Sequence, residues 1–222
     1  MLDTTEIIMD LSTTIIAVGI GAIVFKKLDS FYRLLFWQVA VYLLLDPLAI
    51  FVAHCHLYNA WVYDLQILVE MVLLLSAAQV YFNSTQSKPV LLILFCCFLI
   101  LFGVDVFYLT GNVKLAYHAA VWEDIVLSCI CISILYFQLR KVNTYSSVAM
   151  VMASIGMIIY FACSIPYICI MYYLDQKDHP LAQELFQDIV VVLADLRYFL
   201  IAIAFFLASR NKTAQLTNLN HG

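Results

Sequence analysis

The chemistry in this chain is carried by acids and one arginine set inside apolar runs. Asn59, Tyr63, Gln66 and Glu70 recur at helical spacing and fall within roughly 60° of one another around a helix axis. The run continues as Met71-Val72-Leu73-Leu74-Leu75, which places Glu70 well inside a membrane-length segment. A carboxylate at that depth costs several kcal/mol unless it is partnered or faces a wet cavity, so Glu70 marks a functional site by default. Other polar stripes share this property. Gln38, Tyr42 and Asp46 share a face, as do Tyr117, Asp124, Ser128 and Cys131, and Tyr160, Ser164 and Tyr167. Glu6, Asp10 and Thr13 align near the start of the chain, and Glu184, Asp188 and Asp195 align near its end.

Arg197 is the cation inside the last apolar run. It lies about 200° around the helix from Asp195, so it needs a partner on another helix, with Glu70 and Asp46 the first candidates. Polar stripes cannot face lipid cheaply and should converge on a common axis. The expected ligand-binding set is therefore Glu70, Gln66, Tyr63, Asp46, Asp124, Tyr160, Tyr167, Asp188, Asp195 and Arg197. The competing expectation is that these groups only join helices, at about 0.6 kcal/mol for each hydrogen bond.

Several chemistries lack their residues. A retinal Schiff base needs a lysine in the last span, and Arg197 cannot replace it because it stays protonated. Intramembrane zinc hydrolases carry histidines on their last span, and this one has none. Ser128 and Ser164 have no histidine at comparable depth to activate them. His54, His56 and His118 are weak candidates for a metal site at the outer surface. No cofactor is implied, and an enzyme is the less favoured class. The helix count is that of opsins and of small sugar transporters, but the motifs of neither occur here in order, and no Pro-Gln pair stands in spans one or five.

The elements that must position these groups follow from composition. Hydrophobic residues make up 65% of the 222 and charged residues 12%, against about 45–50% and 25% in soluble domains. Seven spans are predicted at roughly 6–25, 33–53, 60–82, 89–110, 116–137, 147–173 and 185–208. The fold class is an all-α integral membrane protein, a seven-helix bundle over residues 1–210 with a short disordered tail at 211–222. The first segment lacks a basic leader and reads as a span, not a cleaved signal.

Lys26, Lys27, Arg33, Lys88, Arg140, Lys141, Arg210 and Lys212 gather on one side, against Lys114 and Lys177 on the other. The N-terminus is thus expected outside and the C-terminus in the cytoplasm of a cell membrane. Six of the seven cysteines lie in apolar runs and are expected to be buried and unpaired. Tyr42 with Pro47 and Tyr160 with Pro166, each followed by paired acids, suggest that spans two and three repeat as six and seven. That is a parallel three-plus-one-plus-three plan with a site between the repeats.

The expected partners are the lipid bilayer and a small molecule or ion from the outer side. No nucleic-acid partner is expected, since no basic patch suggests one and the net charge of −4 says little by itself, and a cytoplasmic partner is open. The favoured function is binding and translocation of a small cationic or protonatable solute. The alternatives are a seven-helix receptor read by a cytoplasmic partner, or a membrane-embedded lipid-modifying enzyme.

Overall fold

The computed structural model describes residues 4–55, 57–109, 115–140, 145–177 and 179–219. It contains seven long α-helices: α1 (Thr4–Val24), α2 (Ser30–His54), α3 (Ala60–Phe82), α4 (Ser87–Val104), α5 (Tyr117–Leu139), α6 (Tyr145–Lys177) and α7 (His179–Leu219). Among the described residues, α2 through α7 each carry an apolar stretch long enough to cross a bilayer. The side chains of α1 are described only from Leu11 onward. The protein is thus a multi-pass, membrane-embedded helical bundle. α7 runs on to Leu219, across residues that the sequence reading left without structure.

Local chemistry sets the helix ends. Lipid offers no partner for a bare peptide group, so each apolar run closes its hydrogen bonds within itself. A short 3-10 turn at Phe25–Lys27 and the extended backbone of Leu28 and Asp29 reverse the chain between α1 and α2. α3 stops at Asn83, which takes the left-handed conformation and returns its N–H to the Gln79 carbonyl at 3.0 Å. α4 ends in a π-helical turn, Asp105–Leu109, that swings Asp105 inward. Such turns re-aim side chains at the end of a helix.

The connections are short, so neighbours in sequence run antiparallel. α1 packs on α2 and α7, α2 on α3, α3 on α5, α5 on α6, and α6 on α7. These contacts close a ring of six helices, and α4 lies outside it against α3 and α5. The outer faces are apolar, with Ile23, Leu44, Leu92, Ile100 and Phe199 exposed. The interior holds Gln38, Glu70, Glu123, Asp124 and Arg197. That polarity is the reverse of a soluble domain's and suits a lipid solvent.

Small residues bring helices together where polar groups must meet. A Cβ on Gly156 of α6 would stand 3.0 Å from Leu200 Cβ and 3.4 Å from the Arg197 carbonyl oxygen of α7. α6 therefore lies almost against the α7 backbone at the level of the arginine. Gly21 makes the same accommodation for Phe36 of α2 and Phe205 of α7. The cysteines differ from expectation: only Cys131 is buried, and the other six lie on exposed faces, all seven unpaired. In a bundle whose outside is lipid, an apolar thiol gains little by turning inward.

Candidate functional site

The site is built around Glu70, 3% exposed, at the middle of α3. Its Oε1 accepts from Gln38 Nε2 at 2.8 Å and from Arg197 Nη1 at 2.9 Å. Its Oε2 accepts from the Tyr42 hydroxyl. Three helices, α2, α3 and α7, are thus joined at one carboxylate. Of the two partners the sequence offered for Arg197, the structure selects Glu70. The guanidinium, 1% exposed, also sits among aromatic rings, 4.1 Å from the Tyr160 centroid, 5.1 Å from Tyr198 and 5.2 Å from Tyr42. Ring faces attract a desolvated cation, so the cage supplements a single carboxylate.

The rest of the α3 ladder is occupied by α2. Gln66, one turn from Glu70, donates to Asp46, which lies one turn from Tyr42. Asn59 Nδ2 reaches the Ala49 carbonyl at 3.4 Å. The two polar faces read from the sequence therefore meet along one seam, and these groups satisfy one another. Asp195 does not join them: it accepts from Thr13 of α1, on the α1–α7 side. Its position about 200° from Arg197 explains the separation. The side chain of Asp188 and the whole of His56 lie outside the described residues.

α5 completes the layer. Glu123, 3% exposed, and Asp124, 5% exposed, lie within electrostatic range of both Glu70 and Arg197. Among the described residues, Glu123 Oε1, Asp124 Oδ2 and the Ser128 hydroxyl are buried without a hydrogen-bond partner, as are Arg197 Nε and Nη2. Three acidic side chains thus lie within electrostatic range of one guanidinium, which touches Glu70, and polar atoms remain unmatched among the described residues. Sequence reading included Asp124 but missed Glu123 and Ser128 as site residues. Adjacent positions stand 100° apart around a helix, so Glu123 falls off the stripe that carries Asp124, yet α5 is wrapped by α3 and α6 widely enough to bury both.

A tyrosine layer stands two turns away, about 10 Å along the helices. Tyr63, Tyr117 and Tyr167 are each seven residues from Glu70, Asp124 and Tyr160, on α3, α5 and α6. Tyr167 is buried and electrostatically close to Tyr63, Tyr117 and Tyr160. These rings extend from the acidic layer toward the end where α5 begins.

At that end two further acids hold α5 in place. Asp105 Oδ2 accepts the Ala119 N–H at 2.8 Å, and Asp64 Oδ1 accepts the Ala116 N–H at 3.0 Å. Both are donors that the first turn of α5 cannot satisfy itself. His118 Nδ1 lies 2.7 Å from Asp105 Oδ1. His118 is thus engaged by Asp105, while His54 is exposed at the end of α2. Among the described residues no three His, Cys, Asp or Glu side chains converge as metal ligands do. Comparison of the chain with protein families, curated proteins and solved structures finds no match.

Proposed function

We propose that this protein binds a small cationic or protonatable solute at its buried acidic centre and carries it across the membrane. One observation carries the reading: Glu123 and Asp124 are buried beside Glu70, and among the described residues Arg197 is the cation within electrostatic range of all three. A buried carboxylate without a partner is costly, and a positive guest relieves that cost. Glu70 and Arg197 set the field of the site, Asp124 and Tyr160 border it, and Tyr63 and Tyr167 line the approach. Asp46 and Gln66 hold α2 on α3, and Asp195 with Thr13 holds α7 on α1.

Orientation belongs to the same proposal. Lys26, Lys27, Arg33, Lys88, Arg140 and Arg210 occupy one side of the bundle. That side faces the cytoplasm, the N-terminus lies outside, and the tyrosine layer opens outward from a cell membrane. The ring of six helices with α4 outside it supports a three-plus-one-plus-three repeat, with α1–α3 facing α5–α7 across the site.

The test is thermal stability of purified wild type beside Glu70→Gln and Asp124→Asn, over a panel of amines, alkali and divalent metals, and pH. A ligand that binds the folded state raises its melting temperature by mass action. The expected result is a shift in wild type that Asp124→Asn abolishes. No shift in any condition would contradict the proposal and leave the acids as interhelical bonding.

A further inference from the structure

The unmatched atoms on α5 define more than a charge. Both Glu70 oxygens already accept bonds, from Gln38, Tyr42 and Arg197, and together with Arg197 it forms a neutral pair. The free donors of Arg197 lie among the rings of Tyr160, Phe161 and Tyr198, so an anion would have to displace aromatic contacts. What stays open is a set of acceptors: Glu123 Oε1, Asp124 Oδ2 and the Ser128 oxygen. Ser128 lies one turn from Asp124 on the same face of α5, and all three side chains are at least nine-tenths buried.

The number and kind of acceptors select the guest. A bare divalent ion takes six or more oxygens at short range, whereas the unmatched acceptors here are three. An –NH3+ group offers three donors and one positive charge, which matches two carboxylate oxygens and one hydroxyl. Its hydrocarbon part would run along the tyrosine layer formed by Tyr117, Tyr63 and Tyr167, where ring faces accept both apolar contact and cations. We propose that the solute is a small primary amine, its ammonium held by Glu123, Asp124 and Ser128 and its carbon chain directed toward Tyr117. This inference rests on the proposed carrier reading and narrows it to one chemical class.

The test uses the intact protein in lipid nanodiscs and compares n-butylammonium with n-butyltrimethylammonium, which has the same charge but no N–H. Affinity is measured by calorimetry for wild type, Asp124→Asn, Ser128→Ala and the exposed control Ser76→Ala. The primary amine should bind wild type at least tenfold more tightly than the quaternary one. Ser128→Ala should lower that preference several-fold, Asp124→Asn should weaken binding tenfold or more, and Ser76→Ala should change neither. The methylation contrast is made on wild type, so it stands even if a variant fails to fold. Equal binding of the two compounds would overturn the inference. Binding of sodium or a pH response, with no binding of either compound, would overturn it too while leaving a cation carrier in place. No response to any of these would remove both.

Discussion

Arg197 and the acids around it do unequal work, and substitutions should separate them. Removing the guanidinium leaves Glu70, Glu123 and Asp124 close together with no cation beside them among the described residues. Removing the Glu70 charge leaves Arg197 beside two carboxylates that can serve as its counter-ions. Breaking a buried pair costs about 3–5 kcal/mol when the survivor is stranded. Arg197→Gln should therefore lose about that much, whereas Glu70→Gln should lose about 1–3 kcal/mol, the cost of imperfect hydrogen bonding. Equilibrium unfolding of both variants in lipid bicelles checks the order; Glu70→Gln as the more damaged would contradict it. Glu70 and the partner for Arg197 were legible in the sequence, since a buried charge forces a short list of partners. Glu123 was not, because burial of two adjacent side chains depends on how far neighbouring helices wrap α5.

Helices show where spacing becomes contact. The faces Gln38-Tyr42-Asp46 and Asn59-Gln66-Glu70 were visible as periodic stripes, and they pair as α2 against α3. That these groups satisfy one another while those of α5 do not was invisible, because saturation depends on the facing helix. The role of Asp64 and Asp105 was hidden for a similar reason: each caps a helix other than its own. Asp105→Ala should cost about 0.5–2 kcal/mol, within the range of lost helix caps. It should also speed hydrogen exchange at Ala119, and Asp105→Asn should recover part of both. Unchanged exchange there would show that the contact does not hold the start of α5.

The glycines of α1 offer a sharper contrast. Gly19 has nothing within 4 Å of an added Cβ, whereas Gly21 would place one 2.5 Å from Phe36. Gly19→Ala should raise stability by up to about 1 kcal/mol through helix propensity. Gly21→Ala should lower it by about 1–3 kcal/mol through overpacking. Thermal melts of the two variants decide the matter, and equal signs would mean that α1 does not sit so close to α2.

For the whole molecule, the membrane-embedded bundle follows from composition and run length alone, since lipid permits few other solutions. The sequence does not reveal that α4 lies outside the ring, because α4 differs from its neighbours in degree and not in pattern: it is the most apolar span and the least buried. Orientation is testable with a membrane-impermeant maleimide. Cys55, exposed at the end of α2, should label from outside intact cells, and a cysteine placed by Ser84→Cys in the α3–α4 turn should label only after the membrane is opened. The reverse pattern would invert the molecule and turn the tyrosine layer toward the cytoplasm.

The most direct measurement is charge movement in proteoliposomes adsorbed on a solid-supported electrode, with a jump in the concentration of n-butylammonium, sodium or protons. Wild type should give a current for at least one of these, with a fast phase for entry into the acidic centre and a slower one for release across the bilayer. Glu123→Gln combined with Asp124→Asn should lose both phases while remaining folded. A wild-type response equal to that of empty liposomes for every cation, or one that persists in the double variant, would contradict a carrier built on these two carboxylates.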